Sequence, residues 1–107
     1  MPNVSAAELD IRKLENYCLN ADHPLGRHKA RVFHSALGLT NADAQWLRRE
    51  ILVNITTADA AELAKDRFGT RYRADFVLKR HERQAVVRTV WIVAESDVPR
   101  FVTCWVV

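Results

Sequence analysis

The residues of this chain best suited to chemistry are concentrated in the twelve positions from His23 to His34. The run reads His-Pro-Leu-Gly-Arg-His-Lys-Ala-Arg-Val-Phe-His and contains three imidazoles and three cationic side chains. Histidine exchanges protons near neutral pH, and arginine and lysine stabilise negative charge on phosphate groups. These residue types favour acid–base chemistry on a phosphate ester, in which cations stabilise the pentacoordinate phosphorane and a histidine moves the proton.

Sequence patterns that would indicate other chemistries are missing from the chain. There is no glycine-rich phosphate loop, no His-x-Glu or Cys-x-x-Cys metal pattern, and no Gly-x-Ser-x-Gly nucleophile. The four histidines are not spaced as zinc ligands, and the acidic residues give no evident carboxylate pair of the glycosidase type. We therefore expect neither a metal nor an organic cofactor.

Two residues of the run have both a structural and a functional interpretation. Lys29 falls on the apolar arc of its helix, where its stem can cover the core while the ammonium reaches water, or where the ammonium is held at the mouth of a groove. His23 can complete a turn or cap a helix, or it can act as a general acid or base. Three residues beside the apolar arc could contact phosphate: Arg27, Arg31 and His34.

The second half of the chain adds candidates from predicted strands. Arg88 is the one charge in an apolar strand, so it either pairs with Asp75 of the neighbouring strand or binds an anion. Thr103 is either a strand former or a hydroxyl that contacts a phosphate oxygen. Tyr72 and Trp105 either pack against the sheet or stack on bases. His28 and His81 are expected to be exposed to solvent.

Composition limits the class of protein. A chain of 107 residues is expected to form a single domain, residues 1–107, and 49% hydrophobic with 27% charged residues is typical of a soluble globular protein. Without a signal peptide or an apolar span of membrane length, the expected location is the cytoplasm. The net charge is +3, with twelve arginines to four lysines, which favours RNA or an acidic protein as partner.

The two cysteines, Cys18 and Cys104, lack the spacing of metal ligands. We expect them to be buried reduced thiols, with a single long-range disulfide as the alternative.

Periodicity predicts about three helices in the first half of the chain. A capping box at Ser5–Glu8 and apolar residues at helical spacing predict a first helix that ends near Asn20. A second helix is predicted from Arg27 to Leu37, because Gly38 is typical of the residue just past a helix C-terminus. A third helix is predicted after an N-cap at Thr40.

From Gly69 the apolar period changes to two, which predicts strands. The predicted segments are a strand from 69 to 79, a polar turn at 80–84, a strand at 85–94, a break at 96–99 and a last strand at 101–107. Residues 56–68 fit either a short helix or an irregular connection. The prediction is an α+β domain whose N-terminal helices pack on a C-terminal antiparallel meander of three or four strands, with the last two strands central because they are almost continuously apolar.

Four motifs carry a family resemblance across most of the chain. They are His23-Pro-x-Gly-Arg27-x-Lys29-Ala-Arg31-Val-Phe33, Phe68-Gly69-x-Arg-Tyr72, Val87-Arg88-Thr89-x-Trp91 and Pro99-Arg100-x-Val102-Thr103. They resemble a family of small bacterial domains of unknown function. The element order also resembles the barnase–EndoU–colicin–RelE superfold, whose members are mostly metal-independent ribonucleases acting as toxins. That resemblance implies a site drawn from His23, Arg27, Lys29, Arg31, Arg88 and Thr103, although no carboxylate base of the barnase type is evident.

Two main functional hypotheses follow, with a third alternative, and the candidate residues are assigned either catalytic or binding roles. The first is a metal-independent endoribonuclease-like toxin domain that acts on RNA phosphodiesters. The second is a non-catalytic binding module of a toxin–antitoxin-type pair, which docks an acidic antitoxin or immunity-like protein; a basic cleft for a small phosphorylated metabolite is a third reading. The catalytic candidates are His23, Lys29, Arg88 and Thr103, and the candidate phosphate or RNA contacts are Arg27, Arg31, His34 and Tyr72. The catalytic hypothesis expects Lys29 and Arg88 to converge on one solvent-open hollow.

Overall fold

Helices precede strands in this chain and cover one face of a four-stranded antiparallel sheet. The structure is a computed structural model that describes residues 1–95 and 97–107. A π-helical turn at Leu14–Cys18 is followed by two α-helices, α1 (Arg27–Leu37) and α2 (Ala44–Asn54). The strands, which neighbour one another in chain order, are β1 (Ala60–Asp66), β2 (Gly69–Arg80), β3 (Arg83–Val93) and β4 (Arg100–Val106). The predicted α+β class is confirmed.

Helix α1 has the predicted limits because its apolar spacing and its C-terminal glycine agree. Ala30, Phe33 and Leu37 are buried on one side of the helix. Gly38 follows in the left-handed conformation with φ 69°, and its backbone N–H closes the last turn by donating to His34. Thr40 caps the start of the next helical segment, also as predicted.

The N-terminal segment departs from the predicted helix. The capping box at Ser5–Glu8 does not form, because the backbone of Glu8 bonds to the sheet instead. The Glu8 N–H donates to the Pro99 carbonyl at 2.9 Å, and the Phe101 N–H donates to the Glu8 carbonyl at 2.9 Å. These bonds hold Glu8 beside β4, and the π-helical turn, Leu14–Cys18, begins only afterwards.

The ambiguous segment 56–68 contains β1, an edge strand of the sheet. Every residue of β1 after Ala60 is exposed, so its sequence carries no alternation of apolar and polar residues. Ladder pairing with β2 defines this strand rather than burial of one face.

Strand β4 is the other edge of the sheet, so the expectation that the last two strands are both central is correct for β3 and wrong for β4. The apolar residues of β4 are covered by α1 and by the π-helical turn instead of by a further strand. Phe101 and Cys104 are buried in this way. Of the predicted break at 96–99, residues 97–99 lie outside the strands, and Ser96 lies outside the described residues.

The core lies between the helices and the inner face of the sheet, where Phe33 and Leu37 join Val87 and Trp91. One polar side chain, Thr89, is fully buried among them. Its hydroxyl donates to the Ala74 carbonyl at 2.7 Å and accepts from the Trp91 indole at 2.8 Å, so its burial leaves no polar atom unpaired. No helix of the described residues has the length and apolar character needed to cross a membrane.

We predict that Gly26→Ala destabilises the fold by about 1–3 kcal/mol. Gly26 is buried, and a Cβ atom at this position would overlap the backbone carbonyl oxygen of Tyr17. The overlap would push the start of α1 away from the π-helical turn. Urea denaturation measures the loss, with Ser35→Ala on the exposed side of α1 as the matched control. Equal stability of the two variants would contradict the prediction.

Candidate functional site

The Lys29 side chain connects three separate parts of the fold. Its ammonium donates to the Thr103 hydroxyl of β4 at 3.1 Å and to the Tyr17 hydroxyl of the π-helical turn at 3.5 Å. The same nitrogen lies 5.0 Å from the centre of the Tyr17 ring and 5.2 Å from that of Trp105. Aromatic faces and hydroxyl oxygens therefore hold a half-buried cation in one place.

His23 joins this group through Tyr17, since the two rings pack edge to face with centroids 4.9 Å apart. Its Nδ1 accepts the backbone N–H groups of Leu25 at 3.0 Å and Gly26 at 2.9 Å, so the predicted turn role is observed. A neutral imidazole that accepts at Nδ1 carries its proton on Nε2. His23 can therefore donate from Nε2 without breaking either bond.

We call this group the Lys29 cluster; its members are Tyr17, His23, Lys29, Thr103 and Trp105. A cleft of about 290 Å³ opens beside it, lined by His28, Lys29, Val32, Trp105 and Val106. Trp105 thus contacts the ammonium and also forms a wall of the cleft. The cluster has a fixed cation with solvent access next to an aromatic surface.

Arg27, Arg31 and His34 lie on one exposed side of α1, and we call them the α1 basic strip. They line a second cleft of about 330 Å³, which Asp22 also lines. His34 additionally lines a wider cleft of about 800 Å³ at the turn between β2 and β3, together with Arg80, His81, Glu82 and Arg83. Within residues 1–95 and 97–107, neither Arg27 nor Arg31 forms an ion pair.

Arg88 lies next to one member of the Lys29 cluster, because it pairs in register with Trp105 of β4. Its guanidinium donates to both oxygens of Asp75, at 3.0 and 2.9 Å, so the predicted ion pair forms. Its neighbours Val87 and Thr89 are buried toward the helices, and alternation along β3 places Arg88 on the opposite face of the sheet. Hydrogen bonding to Arg88 lowers the pKa of the Asp75 carboxyl. Arg88 does not line the cleft beside Lys29, so the convergence of the two side chains on one hollow stays a prediction.

Tyr72 lies apart from both groups. It pairs in register with Trp91 and lines a cleft of about 520 Å³ near the turn between β1 and β2, beside Lys65 and Arg67. The Lys29 cluster is at the β4 edge of the sheet and this cleft is toward β1, the other edge. The expected exposure of His81 is confirmed.

Two further residues lie at the site, Tyr17 and Cys18, and the sequence analysis includes neither among the candidate site residues. The available signal was that a tyrosine on an apolar face still needs a partner for its hydroxyl. The Cys18 sulfur lies 3.6 Å from the Thr103 hydroxyl. Hydrogen bonds from Cys104 lower the pKa of Cys18 to about 6, while burial raises the pKa of Cys104. Both cysteines are buried free thiols, as expected.

Comparison with known proteins gives one family and one solved structure. A family model described as a domain of unknown function (DUF6883) matches residues 1–107, which confirms the resemblance to a family of unknown function. The fold is similar to a chain of the contact-dependent growth inhibition toxin–immunity protein complex from Klebsiella pneumoniae 342. The TM-score is 0.67 at 15% identity, over 92% of this chain and 98% of that chain. No curated protein sequence matches.

We predict that Arg88→Met lowers the free energy of unfolding modestly at neutral pH, because it removes the ion pair with Asp75. The cost is modest because the paired side chains keep 27% and 31% of their accessible surface. The ion pair lowers the folded-state pKa of Asp75, so its contribution is complete above the ordinary carboxyl pKa and is lost as the pH falls through the lowered value.

Urea denaturation between pH 7 and pH 2 should therefore show that the difference in free energy of unfolding between wild type and Arg88→Met disappears at acid pH. Asp75→Asn should remove the same pH dependence. A difference in free energy of unfolding that stays constant down to the lowest pH would contradict the stabilising role of this pair.

Proposed function

This chain belongs to the DUF6883 family, and we propose that it is an RNA-acting domain of the toxin type, which binds a phosphodiester at the Lys29 cluster and cleaves it with its own side chains. The observation that carries the proposal is the Lys29 ammonium, held by Thr103 and Tyr17 beside an open cleft. A cation with this placement is suited to a negatively charged ligand. Because RNA is the proposed substrate, we also propose that the chain acts in the cytoplasm.

The polar groups of the Lys29 cluster are mainly hydrogen-bond donors. An ammonium has three N–H bonds, and two of those of Lys29 are directed at Thr103 and Tyr17, which leaves one for a phosphate oxygen. The charge would stabilise the negative phosphorane that develops during cleavage. The Nε2–H of His23 adds a donor that the two backbone bonds at Nδ1 keep in place.

The reaction that suits these donors is attack by the neighbouring 2′-hydroxyl on phosphorus. The bond from the 2′ oxygen to phosphorus forms, the bond to the 5′ oxygen breaks, and the departing oxygen takes a proton from water while it accepts a hydrogen bond from the neutral Nε2–H of His23. The 2′-hydroxyl proton passes to water. The expected products are a 2′,3′-cyclic phosphate and a 5′-hydroxyl, and His23 stabilises the departing oxygen as a hydrogen-bond donor.

The α1 basic strip would bind the RNA backbone next to the cleavage site. Arg27, Arg31 and His34 are separated by four and three residues, so they follow the helix axis at intervals of about 6 and 4.5 Å. They carry no base-reading pattern, which favours contacts with the phosphates and little sequence preference. The resemblance to the ribonuclease-toxin superfold supports the same interpretation.

A second function is favoured by the same strip together with the fold comparison. Arg27 and Arg31 are exposed cations without an ion pair among the described residues, and the similar solved chain comes from a toxin–immunity protein complex. An acidic protein partner of the antitoxin or immunity type would complement this charge. In that case the chain would be a binding module without catalysis.

We predict that Lys29→Met lowers the rate of RNA cleavage by about 100-fold or more, since it removes the charge that stabilises the transition state. The assay follows purified chain on total RNA and tRNA and identifies the product ends. The matched control is Lys65→Met, an exposed lysine on β1 at the opposite edge of the sheet. RNA that stays intact with the wild-type chain, or equal rates for the two variants, would refute the catalytic proposal.

We also predict that the double variant Arg27→Gln/Arg31→Gln weakens binding to single-stranded RNA and lowers the slope of log affinity against log salt by about 1.4. The loss reflects two phosphate contacts. Polyglutamate serves as the competing probe. Binding of polyglutamate but not of RNA, lost in the same double variant, would support the acidic-partner function in place of the RNA function.

A further inference from the structure

Two cysteines from the two ends of the chain meet in the core. Cys18 belongs to the π-helical turn and Cys104 to β4, and each has 0% of its surface exposed. Both belong to the same buried cluster, and Cys104 directly follows Thr103, whose hydroxyl lies 3.6 Å from the Cys18 sulfur. The two thiols therefore lie in the same part of the core although the chain between them forms nearly the whole fold.

The surroundings of the two sulfurs differ. On one side of Cys18 the Thr103 hydroxyl lies at 3.6 Å, and that hydroxyl accepts from the Lys29 ammonium at 3.1 Å. The donors of Cys104, the Thr103 hydroxyl and the charge of Lys29 all stabilise a thiolate at Cys18, and they lower its pKa to about 6. Burial and the adjacent Cys18 raise the pKa of Cys104. One sulfur is thus suited to attack an oxidant and the other to remain a thiol.

We propose that Cys18 and Cys104 form a redox-active pair, in which a hydroperoxide oxidises Cys18 and Cys104 converts the product to an intramolecular disulfide. The inference does not depend on the substrate of the Lys29 cluster. Hydrogen peroxide is small enough to approach along the half-buried side chain of Lys29, which lines the open cleft and contacts Thr103 beside Cys18.

The two steps balance with the peroxide as the only co-reactant. In the first, the Cys18 thiolate attacks one peroxide oxygen, a sulfur–oxygen bond forms, the oxygen–oxygen bond breaks, and the departing hydroxide takes a proton to become water. In the second, the Cys104 thiol loses its proton, its sulfur bonds to the Cys18 sulfur, and the hydroxyl of the sulfenic acid leaves with that proton as water. Two thiols and one peroxide become one disulfide and two waters.

The disulfide would change the site beside it. Oxidation removes the thiolate that Thr103 faces, so the Thr103 hydroxyl loses one of its two neighbours and is left with Lys29. It also joins the π-helical turn covalently to β4. The redox state of the pair would thus affect the Lys29 cluster through the Thr103 hydroxyl, which contacts both Cys18 and Lys29.

The first test treats the full wild-type chain with hydrogen peroxide and needs no variant. We expect both thiols to disappear together, the intact mass to fall by the two hydrogens lost, and the protein to remain a monomer whose digest contains a Cys18–Cys104 cross-linked peptide. Dithiothreitol should restore both thiols. Thiols that stay reduced in the native chain while the urea-unfolded chain oxidises, or cross-links between chains only, would overturn the proposal.

The second test separates the roles of the two sulfurs by trapping sulfenic acid with dimedone. In Cys104→Ser, whose hydroxyl keeps a donor to Cys18, peroxide should leave a dimedone adduct on Cys18. In Cys18→Ser, we expect Cys104 to react at least tenfold more slowly, because its thiolate is disfavoured by burial. Equal trapping at both positions would contradict the assignment of attacking and resolving thiols.

The third test checks that the neighbours act on the charge of Cys18 and are not merely structural. The pH profile of iodoacetamide labelling in Cys104→Ser should have its midpoint well below that of an ordinary thiol. The midpoint should rise in Cys104→Ala, which lacks the donor, and rise less when Lys29→Met is added to Cys104→Ser. Identical midpoints in all three variants, each shown to be folded by circular dichroism, would refute the positioning roles.

Discussion

The hydrogen bond from the Lys29 ammonium to the Thr103 hydroxyl is the interaction on which the site depends. It connects α1 to β4, and the contacts of the same ammonium with Tyr17 add the π-helical turn. A cation in such a half-buried place is disfavoured by loss of hydration and is stabilised by oxygens and aromatic faces. The arrangement therefore defines a position for negative charge as well as a contact between three segments.

The residues around this interaction are brought together because other segments cover the β4 edge of the sheet. An edge strand leaves half of its backbone groups without a ladder partner. Beside β4, Glu8 supplies backbone bonds to Pro99 and Phe101, and α1 and the π-helical turn cover the side chains. Gly26 allows the start of α1 to approach the Tyr17 carbonyl, which no larger residue could do without displacement. The close approach is what brings Lys29, His23 and Tyr17 together.

Much of the fold was predictable because it depends on local patterns. The limits of α1 follow from apolar spacing and Gly38, whereas β2 follows from alternation and β3 from the apolar run after the polar turn. The N-terminal segment was not predictable in this way. Ser5–Glu8 has the residues of a capping box, but the free energy of its two long-range bonds to β4 outweighs a local helical preference.

Of the candidate site, the sequence by itself determined the residue types and, for the residues of α1, the side of the helix on which each lies, which follows from a period of 3.6 residues. Only the tertiary structure decided which of these residues meet. Lys29 meets Thr103 and Tyr17, and His23 packs against Tyr17. Arg88, which is in register with Trp105, pairs with Asp75. The physical reason is that register, strand order and edge covering are set by contacts between distant segments, which no local pattern encodes.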